Sequence, residues 1–229
     1  MIKSERVNSK SLQGQSIMPP GPLIRRLLGP YERGVAEAYR RIFINLDALA
    51  ELMSAWVPQA QKILEVGCGE GAMTERIART YPTASVAAID ITPNVGRLYR
   101  GPASSVVFRQ ETVAEVARRE PASFDLVVLS DVMHHVRSDI RRSLLRAIDQ
   151  AMAPNGSLLF KDWVISASPI HWLCAASDRY LTGDDVAYFT IDGINALVTD
   201  VFGPSTIRHS STVRPWHNNA AVLVQRSEI

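Results

Sequence analysis

The sequence lacks the features of a secreted, membrane-spanning or metal-binding protein. It contains 2 cysteines, Cys68 and Cys174, and their positions match no metal-binding spacing. No uninterrupted apolar stretch reaches the roughly 20 residues that a membrane-spanning helix needs. Residues 1–21 are polar and lack the apolar centre of a signal peptide. We therefore predict a soluble, reduced, cytoplasmic protein with no membrane span and no metal site.

Dense tracts of one charge are also absent. The 25 Lys and Arg residues nearly balance the 23 Asp and Glu residues, which leaves a formal net charge of +2. Arginine doublets occur, but they are short and are not interleaved with aromatic residues as in a nucleic-acid-binding surface. We therefore predict no nucleic-acid partner. The composition leaves open whether the chain is a monomer or a homodimer.

Apolar segments that predict strands alternate with amphipathic segments that predict helices, one of them near residues 94–99. Residues 124–129 are almost continuously apolar, which is typical of a strand buried on both faces. This alternation predicts an α/β fold with a doubly wound, Rossmann-like sheet. The last two predicted strands, residues 206–213 and 220–225, are too close in sequence for a parallel crossover. We therefore expect about seven strands, mostly parallel, with an antiparallel C-terminal hairpin.

The remaining segments flank the predicted sheet. Residues 1–22 are polar and then proline-rich, which predicts a flexible lead-in. Residues 23–229 form one predicted domain, and apolar residues recurring at helical spacing predict N-terminal cap helices within residues 23–58. Residues 163–189 interrupt the strand–helix rhythm and predict a lid insertion above the site.

The most informative motif is the glycine-rich turn after the first predicted strand, Glu65-Val66-Gly67-Cys68-Gly69-Glu70-Gly71. Glycine permits a tight backbone and a close ligand approach, and the next helix directs free N–H groups toward the bound group. Asp90 ends the following strand roughly 20 residues later, where a carboxylate accepts hydrogen bonds from a ribose. The motif therefore predicts a nucleoside cofactor.

Two classes of nucleoside cofactor fit this turn. Gly67, Gly69 and Ala72 satisfy the dinucleotide-binding pattern, so an NAD(P)-dependent oxidoreductase is an alternative. Glu65 favours S-adenosylmethionine, because a carboxylate before the turn attracts ammonium and sulfonium charges and repels a pyrophosphate. The antiparallel end of the chain leaves no room for a second dinucleotide-binding half, which also favours S-adenosylmethionine.

Several segments resemble, in order, the motifs of class I S-adenosylmethionine-dependent methyltransferases of the small-molecule type. Residues 63–71 resemble motif I, and residues 87–90, 124–130 and 154–160 resemble the second-strand motif, the fourth-strand motif and motif III. The resemblance implies S-adenosylhomocysteine as product and a cofactor site formed by Glu65, Gly67, Cys68, Gly69, Asp90, Ile91 and Ser130. Many members carry an aspartate after the third strand that contacts adenine, and here Glu111 or Thr112 takes that position.

Polar and aromatic side chains follow the fourth and fifth predicted strands, the edge where ligands bind in open α/β sheets. The chain reads Ser130-Asp131-Val132-Met133-His134-His135 after one strand and Lys161-Asp162-Trp163 after the other. We predict an acceptor pocket formed there and by the lid. Its predicted residues are Asp131, Met133, Asp162, Trp163, Trp172 and Tyr180.

Two neighbouring histidines are candidates for removing a proton from a hydroxyl acceptor, because the ordinary histidine pKa lies near neutrality. The stretch Met133-His134-His135 resembles a loop of small-molecule methyltransferases. His134 aligns with the base histidine of plant-type phenolic O-methyltransferases, in which an aspartate stands at the position of His135. We predict His134 and His135 as catalytic residues, with structural packing of either ring as the alternative.

Together these observations predict methyl transfer to a small-molecule acceptor, with O-methylation favoured over N- or C-methylation. An NAD(P)-dependent oxidoreductase and a non-catalytic binding protein with a methyltransferase fold are the alternatives.

Overall fold

A computed structural model describes residues 34, 44–102, 104–166, 187–216 and 218–226. The strands are β1 (Lys62–Val66), β2 (Ser85–Asp90), β3 (Val106–Gln110), β4 (Phe124–Ser130), β5 (Met152–Trp163), β6 (Ile207–Thr212) and β7 (Asn219–Gln225). The helices are α1 (Leu46–Trp56), α2 (Ala72–Thr80), α3 (Val113–Arg119), α4 (Ser138–Ala151) and α5 (Ile191–Phe202). A short 3₁₀-helix, Met133–His135, lies between β4 and α4.

The strands form a 7-stranded sheet in the order β3-β2-β1-β4-β5-β7-β6. The first five strands run parallel to their neighbours, whereas β7 is antiparallel to both β5 and β6. The strand order reverses between β1 and β4, which opens a crevice at their carboxyl ends. This confirms the predicted doubly wound sheet with its antiparallel C-terminal hairpin.

Apolar side chains form one cluster on each face of the sheet, because neighbouring residues of a strand face opposite sides. Leu64 and Phe160 belong to the cluster beneath α3, α4 and α5. Ile63 and Leu159 belong to the cluster beneath α1 and α2. The central strand β4 supplies both clusters, which explains its nearly unbroken apolar sequence.

Side-chain caps mark the first turns of two of the helices that pack on these clusters. The side chain of Asn45 accepts a hydrogen bond from the Ala48 N–H at 3.0 Å and caps α1. Thr112 caps α3 in a reciprocal arrangement with Glu115, in which each side chain bonds to the backbone N–H of the other residue. These caps satisfy backbone donors that the first helical turn leaves without partners.

The helix predicted near residues 94–99 is wrong, because the structure has turns there. Asn94 and Gly96 adopt left-handed backbone angles, with φ of 64° and 70°, which a right-handed helix does not accommodate. The Gly96 and Leu98 N–H groups donate to the carbonyl oxygens of Gly69 and Glu70 at 2.9 and 3.0 Å. The segment therefore supports the glycine turn instead of forming a helix.

Residues 154–156, at the start of the segment that resembles motif III, form an irregularity within β5. Met152 pairs with Phe124 and Ser157 pairs with Leu126, so β5 has extra residues between two successive pairs. The exposed Pro154 and Asn155 bulge out of the sheet there.

Several predictions fall outside the described residues. These are the lead-in at residues 1–22, the part of the cap helices before residue 44 apart from residue 34, and residues 167–186 of the lid with Trp172 and Tyr180. Within the part of the chain that the structure does describe, no helix is both long and apolar enough to cross a bilayer.

Candidate functional site

The predicted site lies at the carboxyl ends of β1, β2, β4 and β5, beside the reversal of strand order. The glycine turn joins β1 to α2 at this edge. Gly67 has a φ of 77°, and a Cβ atom added there would lie 2.3 Å from Cγ2 of Val132. A side chain at position 67 is therefore disfavoured both by the left-handed backbone and by the loop after β4.

Backbone hydrogen bonds fasten the glycine turn to the end of β2. The N–H groups of Gly67 and Cys68 donate to the Ile89 carbonyl at 2.8 and 3.0 Å. The Gly69 N–H donates to Oδ2 of Asp90 at 2.7 Å. Oδ1 of Asp90 accepts from the N–H and hydroxyl of Thr92 at 2.9 and 2.8 Å. Asp90 is thus held at the turn, where we expect a ribose to bind.

Glu65 lies beneath this turn with only 3% of its surface exposed. Among the described residues, its Oε2 atom has no hydrogen-bond partner, and neither does the hydroxyl oxygen of the buried Thr74. Burial raises the pKa of Glu65 to about 7; the nearby Thr74 hydroxyl, outside hydrogen-bond geometry, opposes this shift, and the charge of Asp90 adds to it. A buried carboxyl oxygen without a partner is rare and fits a site that receives a hydrogen-bond donor or a cation.

Cys68, inside the turn, has a buried free thiol. Burial raises the pKa of this thiol well above its ordinary value, and the negative charges of Glu65 and Asp90 raise it further. The thiolate, which is the reactive form, is therefore disfavoured. Cys68 contributes to packing at the turn, as a member of the apolar cluster beneath α1 and α2.

Three residues of the predicted cofactor site follow β2 and β3: Ile91, and the two candidates for an adenine contact, Glu111 and Thr112. Ile91 follows Asp90, and its apolar side chain is 71% exposed. The Glu111 carboxylate accepts two hydrogen bonds from Arg119, at 2.5 and 2.8 Å. The Thr112 hydroxyl is engaged in capping α3. Both side chains therefore already have protein partners, and the adenine contact stays a prediction.

The loop after β4 brings the remaining predicted residues to the same edge. Ser130 and Asp131 are partly exposed, whereas Met133 is fully buried in the apolar cluster beneath α3, α4 and α5. His135 is exposed, and its ring centroid lies 4.0 Å from that of His134. Trp163, after β5, is 5% exposed. The pocket roles of these residues stay predictions.

His134 and Asp162 form a buried pair across this edge, with 4% and 0% of their side-chain surfaces exposed. Nδ1 of His134 contacts Oδ1 of Asp162. Oδ1 also accepts from the Trp163 N–H at 2.7 Å, and Oδ2 accepts from the His134 N–H at 3.2 Å. A carboxylate on Nδ1 orients an imidazole and stabilises its protonated form, which is the arrangement that a general base needs.

The sequence analysis did not single out Arg141 of α4, which belongs to one of the short arginine doublets, Arg141-Arg142. Arg141 is 9% exposed. Its guanidinium donates to the carbonyl oxygens of Val136 and Ala187 at 2.8 and 2.9 Å and lies 4.2 Å from the centre of the Phe189 ring. Burial lowers its pKa, and the charge of Asp162 opposes that shift.

A signal for the burial of Arg141 existed in the sequence. Positions 141, 145 and 148 share one helical face, and Leu145 and Ile148 are buried in the core. Arg141 ties the loop after β4 to residues 187–189.

Comparison with known proteins agrees with this geometry. The family model described as "Methyltransferase domain" matches residues 64–158, which span the glycine turn, β4 and the start of β5. A curated relative, ubiquinone biosynthesis O-methyltransferase of Xanthomonas campestris pv. campestris (strain B100), is 35% identical over 119 residues. That match covers 50% of this chain and 47% of the relative. The chain thus spans about half the length of this relative.

Solved structures show the same fold at low sequence identity. The pyocyanin biosynthetic protein PhzM has a TM-score of 0.68 and 18% identity, over 90% of this chain and 61% of PhzM. A Burkholderia thailandensis 1,6-didemethyltoxoflavin-N1-methyltransferase, solved with 1,6-didemethyltoxoflavin and S-adenosylhomocysteine, has a TM-score of 0.65 and 15% identity. That match covers 90% of this chain and 88% of the enzyme. At such identities the likeness concerns the fold.

Proposed function

On the premise that residues 64–158 are a methyltransferase domain of the class I S-adenosylmethionine-dependent type, we propose that this chain methylates a small molecule. S-adenosylmethionine supplies the methyl group from its sulfonium centre, and S-adenosylhomocysteine is the product. The chain itself binds this cofactor at the glycine turn and orients the acceptor at the ends of β4 and β5. No nucleic-acid partner is part of the proposal.

The observation that carries the proposal is the pair of carboxyl groups at one turn. Glu65 has a buried oxygen without a partner among the described residues, and Asp90 is held at the Gly69 N–H. Glu65 suits the ammonium group of the cofactor, because a buried carboxylate is stabilised by an opposite charge. Asp90 suits a ribose diol, because a carboxylate offers about four acceptor positions and Asp90 uses three with protein donors.

The acceptor side favours a hydroxyl group. His134, oriented by Asp162, is the residue that would take the proton released when the oxygen is methylated. A hydroxyl group is a weak nucleophile until it loses its proton, so a buried histidine–carboxylate pair favours oxygen as the acceptor atom. The name of the Xanthomonas relative, an O-methyltransferase, supports the same choice.

The alternative of an NAD(P)-dependent oxidoreductase loses support from two features. Glu65 lies beneath the turn where a pyrophosphate would sit, and two negative groups repel each other in a buried site. The sheet ends in the antiparallel β5-β7-β6 arrangement, which differs from a second parallel dinucleotide-binding half.

Titration calorimetry with S-adenosylhomocysteine, S-adenosylmethionine and NADPH tests the proposal. We expect both adenosyl compounds to bind and NADPH not to bind. In a thermal denaturation experiment, each compound that binds should also raise the melting temperature of the protein by mass action. Glu65→Gln should weaken S-adenosylhomocysteine binding by about tenfold or more, the size expected for losing a charge-assisted hydrogen bond. Binding of NADPH without the adenosyl compounds would overturn the proposal.

Glu51→Gln serves as the matched control for charge. Glu51 lies on α1 with 73% of its side chain exposed, and its partner Arg214 is at 3.5 Å. The substitution removes the same charge far from the turn and should leave the affinity unchanged. A screen of hydroxylated aromatic acceptors then separates an enzyme from a protein that binds the cofactor without catalysis.

A further inference from the structure

The carboxyl end of β5 carries a lysine whose side chain is fully buried. Nζ of Lys161 lies 2.5 Å from Oδ1 of Asp131, and Lys161 is 0% exposed. Nζ also lies 5.4 Å from the centre of the Trp163 ring, which follows on the same face of the strand. A buried ammonium group persists only when it is paired, so the contact with Asp131 accounts for the burial of Lys161.

Asp131 is held to Lys161 by its backbone as well as by its carboxylate. Its N–H donates to the Lys161 carbonyl at 3.0 Å, and its Oδ2 accepts from the Ser130 hydroxyl at 3.0 Å. Its φ is 58°, a left-handed backbone that aspartate tolerates better than most residues. The chain therefore leaves β4 through a bend at Asp131 that Lys161 ties down.

This bend directs the next residue onto the glycine turn. The side chain of Val132 fills the space beside Gly67, because its Cγ2 lies 2.3 Å from where a Gly67 Cβ would stand. Ser130, before the bend, is one of the residues predicted to flank the cofactor. The Lys161–Asp131 pair thus connects β5 to Ser130 and Val132, the residues on either side of the bend that face the predicted cofactor site.

The next residue of β5 performs a separate task on the other face of the sheet. Asp162 contacts His134, on the face covered by α3, α4 and α5, whereas Lys161 points to the opposite face. Lys161 therefore acts on the glycine turn, which we call the cofactor half of the site. Asp162 acts on His134, which belongs to the acceptor half.

We propose that Lys161 is a positioning residue for cofactor binding, which acts through Asp131 to hold Ser130 and Val132 against the glycine turn. This role rests on the proposed function, because it assigns the turn to the cofactor. Lys161 does not need to contact the cofactor for this role. Its effect passes through the bend at Asp131.

A double-mutant cycle tests the role, with the dissociation constant for S-adenosylhomocysteine measured by calorimetry well below the melting temperature. We expect Lys161→Met and Asp131→Asn each to weaken binding by about tenfold, as is typical of contacting residues in one network. Asn keeps the left-handed backbone at position 131, so Asp131→Asn reports on the charge alone. The dissociation constant of the double variant should be no higher than the higher of the two single-variant values, because either substitution alone already breaks the Lys161–Asp131 pair.

Lys62→Met is the matched control. Lys62 begins β1 at the opposite end of the sheet and pairs with Glu120 at 2.9 Å. Its loss should change the dissociation constant less than about twofold, as expected for an exposed pair. Circular dichroism checks that each variant is folded, and Asp131→Asn decides the outcome if Lys161→Met does not fold.

The possible results separate this role from the function on which it rests. A pair that serves stability alone would lower the melting temperatures and leave the dissociation constants within about twofold, and that result would overturn the positioning role. Effects that multiply in the double variant would also overturn it. If the unsubstituted chain fails to bind S-adenosylhomocysteine, the proposed function fails and the positioning role fails with it.

Discussion

Asp162 of β5 holds both the ring and the backbone of His134, which lies 28 positions earlier in the chain. One carboxylate therefore sets the position of the 3₁₀-helix after β4 and the orientation of the imidazole. In the tautomer whose Nδ1–H donates to this carboxylate, Nε2 is the basic nitrogen of the ring.

His134→Gln should reduce turnover of a hydroxyl acceptor by about 10²- to 10⁴-fold, the usual contribution of a general base. S-adenosylhomocysteine affinity should stay within about twofold, because the ring belongs to the acceptor half of the site. His209→Gln is the control: His209 lies on β6, exposed and stacked against Trp56. Unchanged turnover in His134→Gln would contradict the base role.

Cofactor affinity should rise with pH up to about 7 and then level off. In the unliganded protein the pKa of Glu65 is about 7, raised by burial and by Asp90 and lowered by Thr74. The group is protonated at lower pH, and a bound ammonium group favours its ionised form, so binding releases a proton below about pH 7. Calorimetry in buffers of different ionisation enthalpy measures this proton release. Glu65→Gln should abolish it, and an equal release in the variant would refute the assignment.

The same carboxyl group should make the unliganded protein less stable as the pH rises. The pKa of Glu65 rises from 4.5 to about 7 on folding, so between these values the folded state holds a proton that the unfolded state has lost. The free energy of unfolding should therefore fall between about pH 4.5 and pH 7, by at most about 3 kcal/mol from this group. Urea denaturation across this range should show a smaller fall in Glu65→Gln. An unchanged slope would show that other groups cause the fall.

Arg141→Met should lower the free energy of unfolding by about 2–4 kcal/mol. The substitution removes a buried guanidinium that satisfies two carbonyl groups, and buried acceptors without partners are costly. Arg142→Met provides a control one residue away, because Arg142 is 61% exposed and pairs with Asp200. That variant should lose less than about 1 kcal/mol. Equal losses in urea denaturation would mean that Arg141 contributes no more than a surface residue.

Gly67→Ala should weaken S-adenosylhomocysteine binding and lower the free energy of unfolding by about 1–3 kcal/mol, the usual cost of a strained backbone. The added methyl group meets Val132, and φ stays at 77°. In a double variant, adding Val132→Ala to Gly67→Ala removes the contact with the new methyl group but leaves the left-handed backbone at position 67. It should therefore restore only part of the stability, whereas complete restoration would assign the whole effect to the contact.

The predictions made from sequence succeeded where structure depends on neighbouring residues. Helix α2 has local signals at both ends, because it starts directly after the glycine turn and Pro82 lies two residues beyond its end at Thr80. The antiparallel end of the sheet followed from the short connection between β6 and β7. The prediction failed near residues 94–99, where hydrogen bonds to the glycine turn outweigh local helical preference.

The sequence by itself determined the alternation of strands and helices, the glycine turn and the acid at the end of β2, because periodicity and turn chemistry act over short distances. Only the tertiary structure paired His134 with Asp162 and Asp131 with Lys161. These pairs depend on the parallel register of β4 and β5, which places Ser130 beside Lys161. No local pattern encodes that register. It arises because both strands bury their apolar residues in the same core.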